Sequence, residues 1–189
     1  MAVLQQFQIL DDHPLRHNAG GQLWMLCIVL ALAAGWTDWR TRRIPNWLTV
    51  PAFLLGIAVN AYAGRWQGAK AALLGAGLGL AVLLPFVLLR ALGAGDWKLV
   101  GALGAWLGPS RLVAVLILAI FAAGIMAVGL VIWKKRVGRT LHNIAHMLAS
   151  LFTLHLPGPE LSLDNPESTK VPFGVALALA VVFYVGMAA

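Results

Sequence analysis

Long apolar segments that contain almost no charge constrain this chain more than any other feature of its sequence. The longest that is free of charge, 112–133, contains no Asp, Glu, Lys or Arg. A helix of about 20 apolar residues crosses the hydrocarbon core of a bilayer. Hydrophobic residues make up 60% of the chain and charged residues 11%, whereas about a quarter of a soluble domain is charged. The sequence therefore predicts an integral membrane protein and excludes a disordered, collagen-like or ordinary soluble chain.

Six such segments can be delimited, and we predict an all-α, polytopic membrane helix bundle of about six transmembrane helices. The segments are 22–36, 47–63, 69–92, 97–108, 112–133 and 171–189. The fourth has only about 12 residues, fewer than a crossing usually needs. We expect a polar N-terminal tail, 1–21, and a single membrane-embedded domain, 22–189, with a cytoplasmic segment at 134–170.

The 14 Lys and Arg residues are divided unequally between the two sides of such a bundle. Ten lie on the side of the loops after the first, third and fifth segments: Arg40, Arg42, Arg43, Arg90, Lys98, Lys134, Lys135, Arg136, Arg139 and Lys170. Four lie on the other side: Arg16, Arg65, Lys70 and Arg111. The positive-inside rule makes the side with ten charges cytoplasmic and both termini extracytoplasmic. The net charge of +7 then reflects topology and not a nucleic-acid partner.

Two of the seven acidic residues lie at the edges of apolar segments. Asp38 follows the first segment in a basic stretch, and Asp96 precedes the fourth, after Gly93 and Gly95. An ionisable group near membrane depth is by default a functional-site hypothesis. Taken singly, Asp38 could pair with a neighbouring Arg, and Asp96 could cap a helix. The two glycines would permit a left-handed backbone or the close approach of another segment.

Both aspartates fall on the predicted cytoplasmic side, and together they indicate a more specific chemistry. Two carboxyl groups brought close together do not both ionise easily, so one stays protonated, as in an aspartyl protease. The charged carboxylate takes a proton from water, and the neutral one hydrogen-bonds to the peptide carbonyl. Their apparent pKa values then belong to the pair.

Around these acids the sequence resembles the type IV prepilin peptidases, a family of membrane aspartyl proteases with a GxGD motif. Three motifs carry the resemblance, in the order in which the family has them: Asp38 with the basic stretch and Ile44-Pro45-Asn46-Trp47-Leu48-Thr49, then Gly93-Ala94-Gly95-Asp96-Trp97-Lys98-Leu99, then Val171-Pro172-Phe173-Gly174-Val175-Ala176. The third is similar to the segment that opens the last helix of the family. The resemblance extends from about Leu23 to the C-terminus.

The resemblance implies an endopeptidase that removes the leader of type IV or Flp-type prepilins at the cytoplasmic face of a prokaryotic plasma (inner) membrane. Asp38 and Asp96 would be its catalytic pair. The residues expected to bind substrate or to support the motifs are Arg42, Arg43, Pro45, Asn46, Gly93, Gly95, Lys98, Pro172 and Gly174. The basic residues among them could hold an acidic residue or a carbonyl of the substrate. The expected partners are the prepilin and the lipid bilayer, without nucleic acid.

Longer members of the family also N-methylate the new N-terminus and carry a cytoplasmic insert with paired CxxC motifs. This chain has one Cys, Cys27, so it resembles the short form of tight-adherence pilus systems or an archaeal-type enzyme. We therefore predict no methyltransferase activity, no cofactor and no metal. His142 and His146, with His155 further on, are better explained as solvated residues of a surface helix than as a zinc site, because no third ligand is evident near the first two.

Other interpretations of the chain remain open at this point. A small transporter or channel subunit could use a buried Asp pair as a proton relay. A scaffold for pilus assembly could use the aspartates as interface pairs. The first apolar segment could be a signal peptide, although the basic cluster after it favours retention in the membrane.

Two residue types are predicted to organise the bundle. Tryptophans near segment ends are expected to form an aromatic belt at the membrane surface: Trp36, Trp39, Trp47, Trp66, Trp97, Trp106 and Trp133. Glycines in the third to fifth segments are expected to form small-residue faces for helix packing: Gly75, Gly77, Gly79, Gly101, Gly104 and Gly108.

Overall fold

The protein is represented by a computed structural model, which describes residues 16–89, 92–134, 138 and 171–188. All regular structure in these ranges is helical: α1 (Arg16–Thr41), α2 (Asn46–Leu88), α3 (Ala94–Trp133) and α4 (Phe173–Ala188). The predicted all-α class is confirmed for this part of the chain. α1 begins within the segment expected to be a polar tail. The histidines of the doubtful zinc site lie outside the described residues.

The helix α2 is divided into two arms at Arg65, which has a non-helical backbone (φ 49°, ψ −135°). A Cβ added to Gly68 would overlap the carbonyl of Asn60. Residues eight apart lie about 12 Å apart in a straight helix, so this contact shows that the second arm, 66–88, folds back on the first, 46–64. The break falls between the second and third predicted apolar segments.

The helix α3 is divided in the same way at Gly108 (φ 74°, ψ 174°). Pro109 disfavours the helical conformation in the residue before it, and glycine adopts this positive φ without a steric cost. A Cβ on Gly79 would lie 2.9 Å from both Val100 and Leu112, although residues twelve apart are about 18 Å apart in a straight helix. The second arm, 109–133, therefore folds back on the first, 94–107.

α2 and α3 are long and apolar enough to cross a membrane, and their breaks fall in the gaps that the sequence leaves between apolar segments. Six crossings and the orientation of the termini remain predictions. Apolar side chains on the outer face of the second arm of α3 are more than half exposed: Ile120, Phe121, Ile125, Val128 and Ile132. Exposure of so many large apolar groups suits contact with lipid better than contact with water.

The first arm of α3 forms the centre of the bundle, because every residue from 99 to 108 is buried. α2 packs mainly against α3, whereas α1 and α4 pack against each other and α4 also contacts α3. Leu99, Leu103 and Leu112 of α3 and Leu177 of α4 are fully buried where these helices meet. The packed α2–α3 pair and the packed α1–α4 pair therefore share one apolar core.

Glycines allow the second arm of α2 to pack directly on the first arm of α3. A Cβ on Gly75 would overlap the carbonyl of Gly104, and one on Gly104 would overlap the carbonyl of Gly75. Gly101 meets Leu80 in the same interface, at 2.8 Å from an added Cβ. The small-residue face is thus present, but the inclusion of Gly77 in it was wrong. A Cβ at Gly77 meets nothing within 4 Å, because that residue lies on the opposite side of its helix.

Hydrogen bonds from polar side chains also hold the first arm of α3 against its neighbours. The indole N–H of Trp97 donates to the carbonyl of Leu80 at 2.7 Å, and that of Trp106 donates to the carbonyl of Ala52 at 2.8 Å. The amide of buried Asn60 donates to the carbonyl of Ala105 at 3.0 Å. Trp97 and Trp106 are therefore inter-helix contacts, because the only polar atom of each side chain is used inside the bundle. Trp106 is buried and so does not contribute to a membrane-surface belt, whereas the belt itself stays a prediction.

Candidate active site

Asp38 lies in the last turn of α1, beyond the apolar segment 22–36, and is only 7% exposed. The backbone N–H of Gly174 donates to its Oδ2 atom at 2.9 Å. Burial raises the pKa of this carboxyl group, whereas the Gly174 N–H and the charge of Arg42 act in the opposite direction. A buried carboxylate with a backbone donor and a nearby cation has the partners that its charged form needs.

The chain turns sharply after Asp38, between α1 and α2. The N–H of Arg42 donates to the carbonyl of Asp38 at 2.9 Å, and Arg42 has a positive φ of 54°. The hydroxyl of Thr41 donates to the carbonyl of Thr37 at 2.8 Å and to that of Arg43 at 3.1 Å. The side chains of both arginines are exposed. The basic stretch therefore terminates α1 and leaves its charged groups accessible.

Pro45 is the N-cap of α2 (φ −75°, ψ 145°), one residue before its first helical turn. Its carbonyl accepts the N–H groups of Leu48 and Thr49 at 3.1 and 3.4 Å. An extended proline stops α1 from continuing into α2 and fixes where Asn46 starts the new helix. Thr49 is buried, and its hydroxyl has no hydrogen-bond partner within the described part of the chain.

Asp96 lies in the first turn of α3 and is not its N-cap. The N-cap is Gly93, whose extended backbone (ψ 142°) is not left-handed and whose carbonyl accepts the N–H of Trp97 at 3.2 Å. A Cβ on Gly93 would lie 3.0 Å from the Oδ2 atom of Asp96. The Oδ1 atom of Asp96 is buried and has no hydrogen-bond partner among the described residues, so it can accept or donate a bond to an incoming group.

The segment that follows Asp38 contacts the segment on both sides of Asp96. A Cβ on Gly95 would lie 3.2 Å from the Cβ and the carbonyl oxygen of Ile44. The sequence allowed either a left-handed backbone at Gly95 or the close approach of another segment, and the structure shows the close approach. The ammonium of Lys98 donates to the Oδ1 atom of Asn46 at 2.9 Å. The two motifs therefore form one continuous surface at one end of the bundle.

The fold brings Asp38 and Asp96 into a common site: they lie within electrostatic range of each other, and Gly95, next to Asp96, packs on Ile44 of the segment that follows Asp38. The third motif reaches this site through Gly174. Pro172 is buried before the start of α4, where its carbonyl accepts the N–H groups of Val175 and Ala176 at 3.1 and 3.2 Å. All three motifs, which are far apart in the chain, therefore meet at the same end of the structure.

Metal ligands do not assemble in the part of the chain that is described: it contains no group of three or more His, Cys, Asp and Glu side chains. The chemistry visible at this site is that of two carboxyl groups, backbone amides and basic side chains. Sequence reasoning missed the direct contact of Gly174 with Asp38 and the inter-helix role of Asn60. An Asn within an apolar segment is a signal that could have revealed the latter, because a buried amide needs partners.

Comparison with known proteins identifies a family profile and several relatives that match this chain. The sequence profile described as the type IV leader peptidase family matches residues 25–128, which is more than half of the chain and includes both aspartates. A protein named prepilin leader peptidase/N-methyltransferase from Burkholderia pseudomallei (strain 1026b) is 40% identical over 119 residues, which are 59% of this chain and 37% of that protein.

Two other curated relatives carry the same name. The one from Klebsiella pneumoniae is 41% identical over 110 residues, 54% of this chain and 47% of its own. The one from Xanthomonas campestris pv. campestris is 27% identical over 175 residues, 88% of this chain and 50% of its own. The chain thus spans half or less of the length of these relatives. No solved structure matches it. On the extent of the profile match, the chain belongs to the type IV leader peptidase family.

Proposed function

We propose that this protein is an integral membrane aspartyl endopeptidase that cleaves the leader peptide of type IV or Flp-type prepilins at the cytoplasmic face of the plasma (inner) membrane. The observation that carries the proposal is the juxtaposition of two carboxyl groups in one site: buried Asp38, and Asp96, whose Oδ1 atom has no partner within the described ranges. The names of the relatives and the family match support the substrate class. Methyl transfer is not part of the proposal.

The surroundings of the two aspartates suggest different roles for them. Asp38 accepts a backbone N–H from Gly174 and lies near Arg42, both of which favour its ionised form. Asp96 faces the charge of Asp38, so ionising it as well would place two like charges together. Asp38 is therefore the base that takes a proton from water, and Asp96 is the acid that hydrogen-bonds to the scissile carbonyl. The water oxygen bonds to the carbonyl carbon while Asp96 protonates the carbonyl oxygen. The C–N bond then breaks as Asp38 passes the proton it took from water to the leaving nitrogen, and one hydroxyl proton of the intermediate returns to Asp96.

The proposed orientation places this site on the cytoplasmic side, with six crossings and both termini outside. The unequal distribution of Lys and Arg supports it, as do the breaks at Arg65 and Gly108. In a background without Cys27, single cysteines at Arg40 and Arg65 should react with a membrane-impermeant reagent from opposite sides. Labelling of both from one side would contradict a crossing between them.

The basic residues Arg42 and Arg43 are proposed to contact the substrate, because both side chains are exposed beside Asp38. Reversal of both charges should raise the KM for a leader that carries an acidic residue. Unchanged cleavage of that substrate would rule out the contact. Lys98 has a partner inside the protein, Asn46, and its contribution is proposed to be positional.

The decisive experiment measures cleavage of a membrane-inserted substrate with a short basic leader, a Gly and an apolar helix. Asp38→Asn and Asp96→Asn should each abolish product formation while the protein remains monodisperse in detergent. Asp164→Asn makes the same change at an acidic residue of segment 134–170, and this matched control should cleave normally. Full activity of either active-site variant would exclude the mechanism. A transporter with an Asp pair, which no observation here favours, would give no product and a proton flux in vesicles.

A further inference from the structure

The first turn of α4 lies directly on the carboxylate of Asp38, although 136 positions separate the two along the chain. The N–H groups of a first helical turn have no partner within their own helix. Here that of Gly174 donates to the Oδ2 atom of Asp38 at 2.9 Å, and the amide of Val175 also acts on this carboxylate. A carboxylate at a helix N-terminus is additionally stabilised by the helix dipole.

The fit around this contact leaves no room for a side chain at position 174. A Cβ on Gly174 would lie 2.9 Å from the Cβ, 3.0 Å from the Oδ2 and 3.2 Å from the Cγ atom of Asp38. The backbone of α4 therefore approaches Asp38 as closely as a glycine allows. Both partners are buried.

From this geometry we propose that Gly174 is a positioning residue for Asp38: its amide keeps the carboxylate ionised and fixes its orientation toward Asp96. The inference rests on the proposed function and adds to it a role for the third motif. Besides the amide, two ionisable side chains face the carboxylate, Arg42 from the turn after α1 and Asp96 from α3. Gly174 is therefore a neutral donor to the carboxylate and acts on the reaction through Asp38.

The test compares three Gly→Ala variants in the cleavage assay. Gly174→Ala displaces Asp38 and should lower kcat at least about tenfold, since displacements of about 1 Å cost up to about a hundredfold, with KM changed less than about twofold. The acid limb of the kcat profile should move to higher pH, because the ionised carboxylate loses a donor. Equal kcat and an unmoved acid limb would overturn the inference.

Two controls separate positioning from packing. Gly35→Ala crowds the same α1–α4 interface, 2.9 Å from the Cβ of Ala178, and should lower thermal stability without moving the acid limb. Gly186→Ala in α4, which meets nothing within 4 Å, should resemble the wild type. If the acid limb of the kcat profile moves as far in Gly35→Ala as in Gly174→Ala, the effect is one of packing and the proposal is contradicted.

A second measurement applies even where Gly174→Ala does not fold. Hydrogen exchange of the Gly174 amide should be slow in the wild type and at least about tenfold faster in Asp38→Ala, because an uncapped first-turn amide has no other partner. Equal exchange in the two proteins would overturn the inference. If Asp38→Asn cleaves normally, it is the proposed function that fails. If Asp38→Asn is inactive and Gly174→Ala is normal, the inference alone fails.

Discussion

The ammonium of Lys98 donates a hydrogen bond of 2.9 Å to the side-chain oxygen of Asn46, and this bond ties the helix that carries Asp96 to the start of α2. Close by, Gly95 lies against Ile44. Ile44 and Asn46 follow Asp38 by a few residues, so the relative position of the two aspartates depends on how these segments are held together. Any change that loosens this link should act on catalysis more than on folding.

The Lys98–Asn46 bond is expected to couple the two motifs energetically. Lys98→Met and Asn46→Ala should each lower kcat, and the double variant should lower it by less than the product of the two effects. A coupling energy of about 0.5–1.5 kcal/mol is the usual net value of such a bond. A double-mutant cycle on kcat measures it, with exposed Lys70→Met as the control. Strictly additive effects would show that the bond does not contribute to catalysis.

Arg42 combines a strained backbone with a charge that acts on Asp38. A side chain at its φ of 54° costs about 1–2 kcal/mol, a penalty that glycine avoids. Burial raises the pKa of Asp38, and the Arg42 charge lowers it. Arg42→Gly should therefore raise the melting temperature at acid pH, where protonated Asp38 gains nothing from the Arg42 charge. It should also raise the pKa of Asp38 further, so that the acid limb of activity moves to higher pH.

The matched variant Arg42→Lys keeps the charge and the strain. It should retain both the acid limb and the melting temperature of the wild type. Activity profiles against pH and thermal unfolding in detergent check the two halves of this prediction separately. An acid limb that stays in place in Arg42→Gly would show that the charge does not reach Asp38.

The aspartates could be identified from the sequence because the signal is local. A carboxyl group beside an apolar segment is costly in a membrane protein unless it has a use, so Asp38 and Asp96 stand out among the seven acids. The apolar segments could be predicted for the same reason, because each is a continuous stretch of the sequence. The breaks at Arg65 and Gly108 fall where these segments end.

The contacts between distant segments could not be predicted in this way. Whether Gly75 or Gly77 faces α3 depends on the rotation of the helix about its axis, which a uniformly apolar segment does not reveal. Trp106 shows the same limitation, because its indole was expected at the membrane surface and instead donates to Ala52. The bond from Gly174 to Asp38 depends on where α4 docks, and no short-range pattern contains that information.

The two neighbouring glycines of α2 give a matched pair for testing the packing of α2 on α3. Gly75→Ala should destabilise the protein by at least about 1–3 kcal/mol, the usual cost of overpacking a close interface, because its Cβ would overlap the Gly104 carbonyl. Gly77→Ala meets open space and should stabilise its helix by up to about 1 kcal/mol. Thermal unfolding in detergent distinguishes them, and equal melting temperatures would contradict the packing described.

Arg65 offers a stability test away from the aspartates. It joins the arms of α2 with a φ of 49° and a ψ of −135°, a conformation that glycine tolerates far better than arginine. Arg65→Gly should stabilise the protein by about 1 kcal/mol, or about 2–4 °C in melting temperature for a chain of this size. Arg65→Ala removes the same charge but keeps a Cβ, so it should leave the melting temperature unchanged. Neither change should alter cleavage, because the break lies at the opposite end of the first arm of α2 from Asn46 and its bond to Lys98. An equal rise in both variants would assign the effect to the lost charge and not to the backbone.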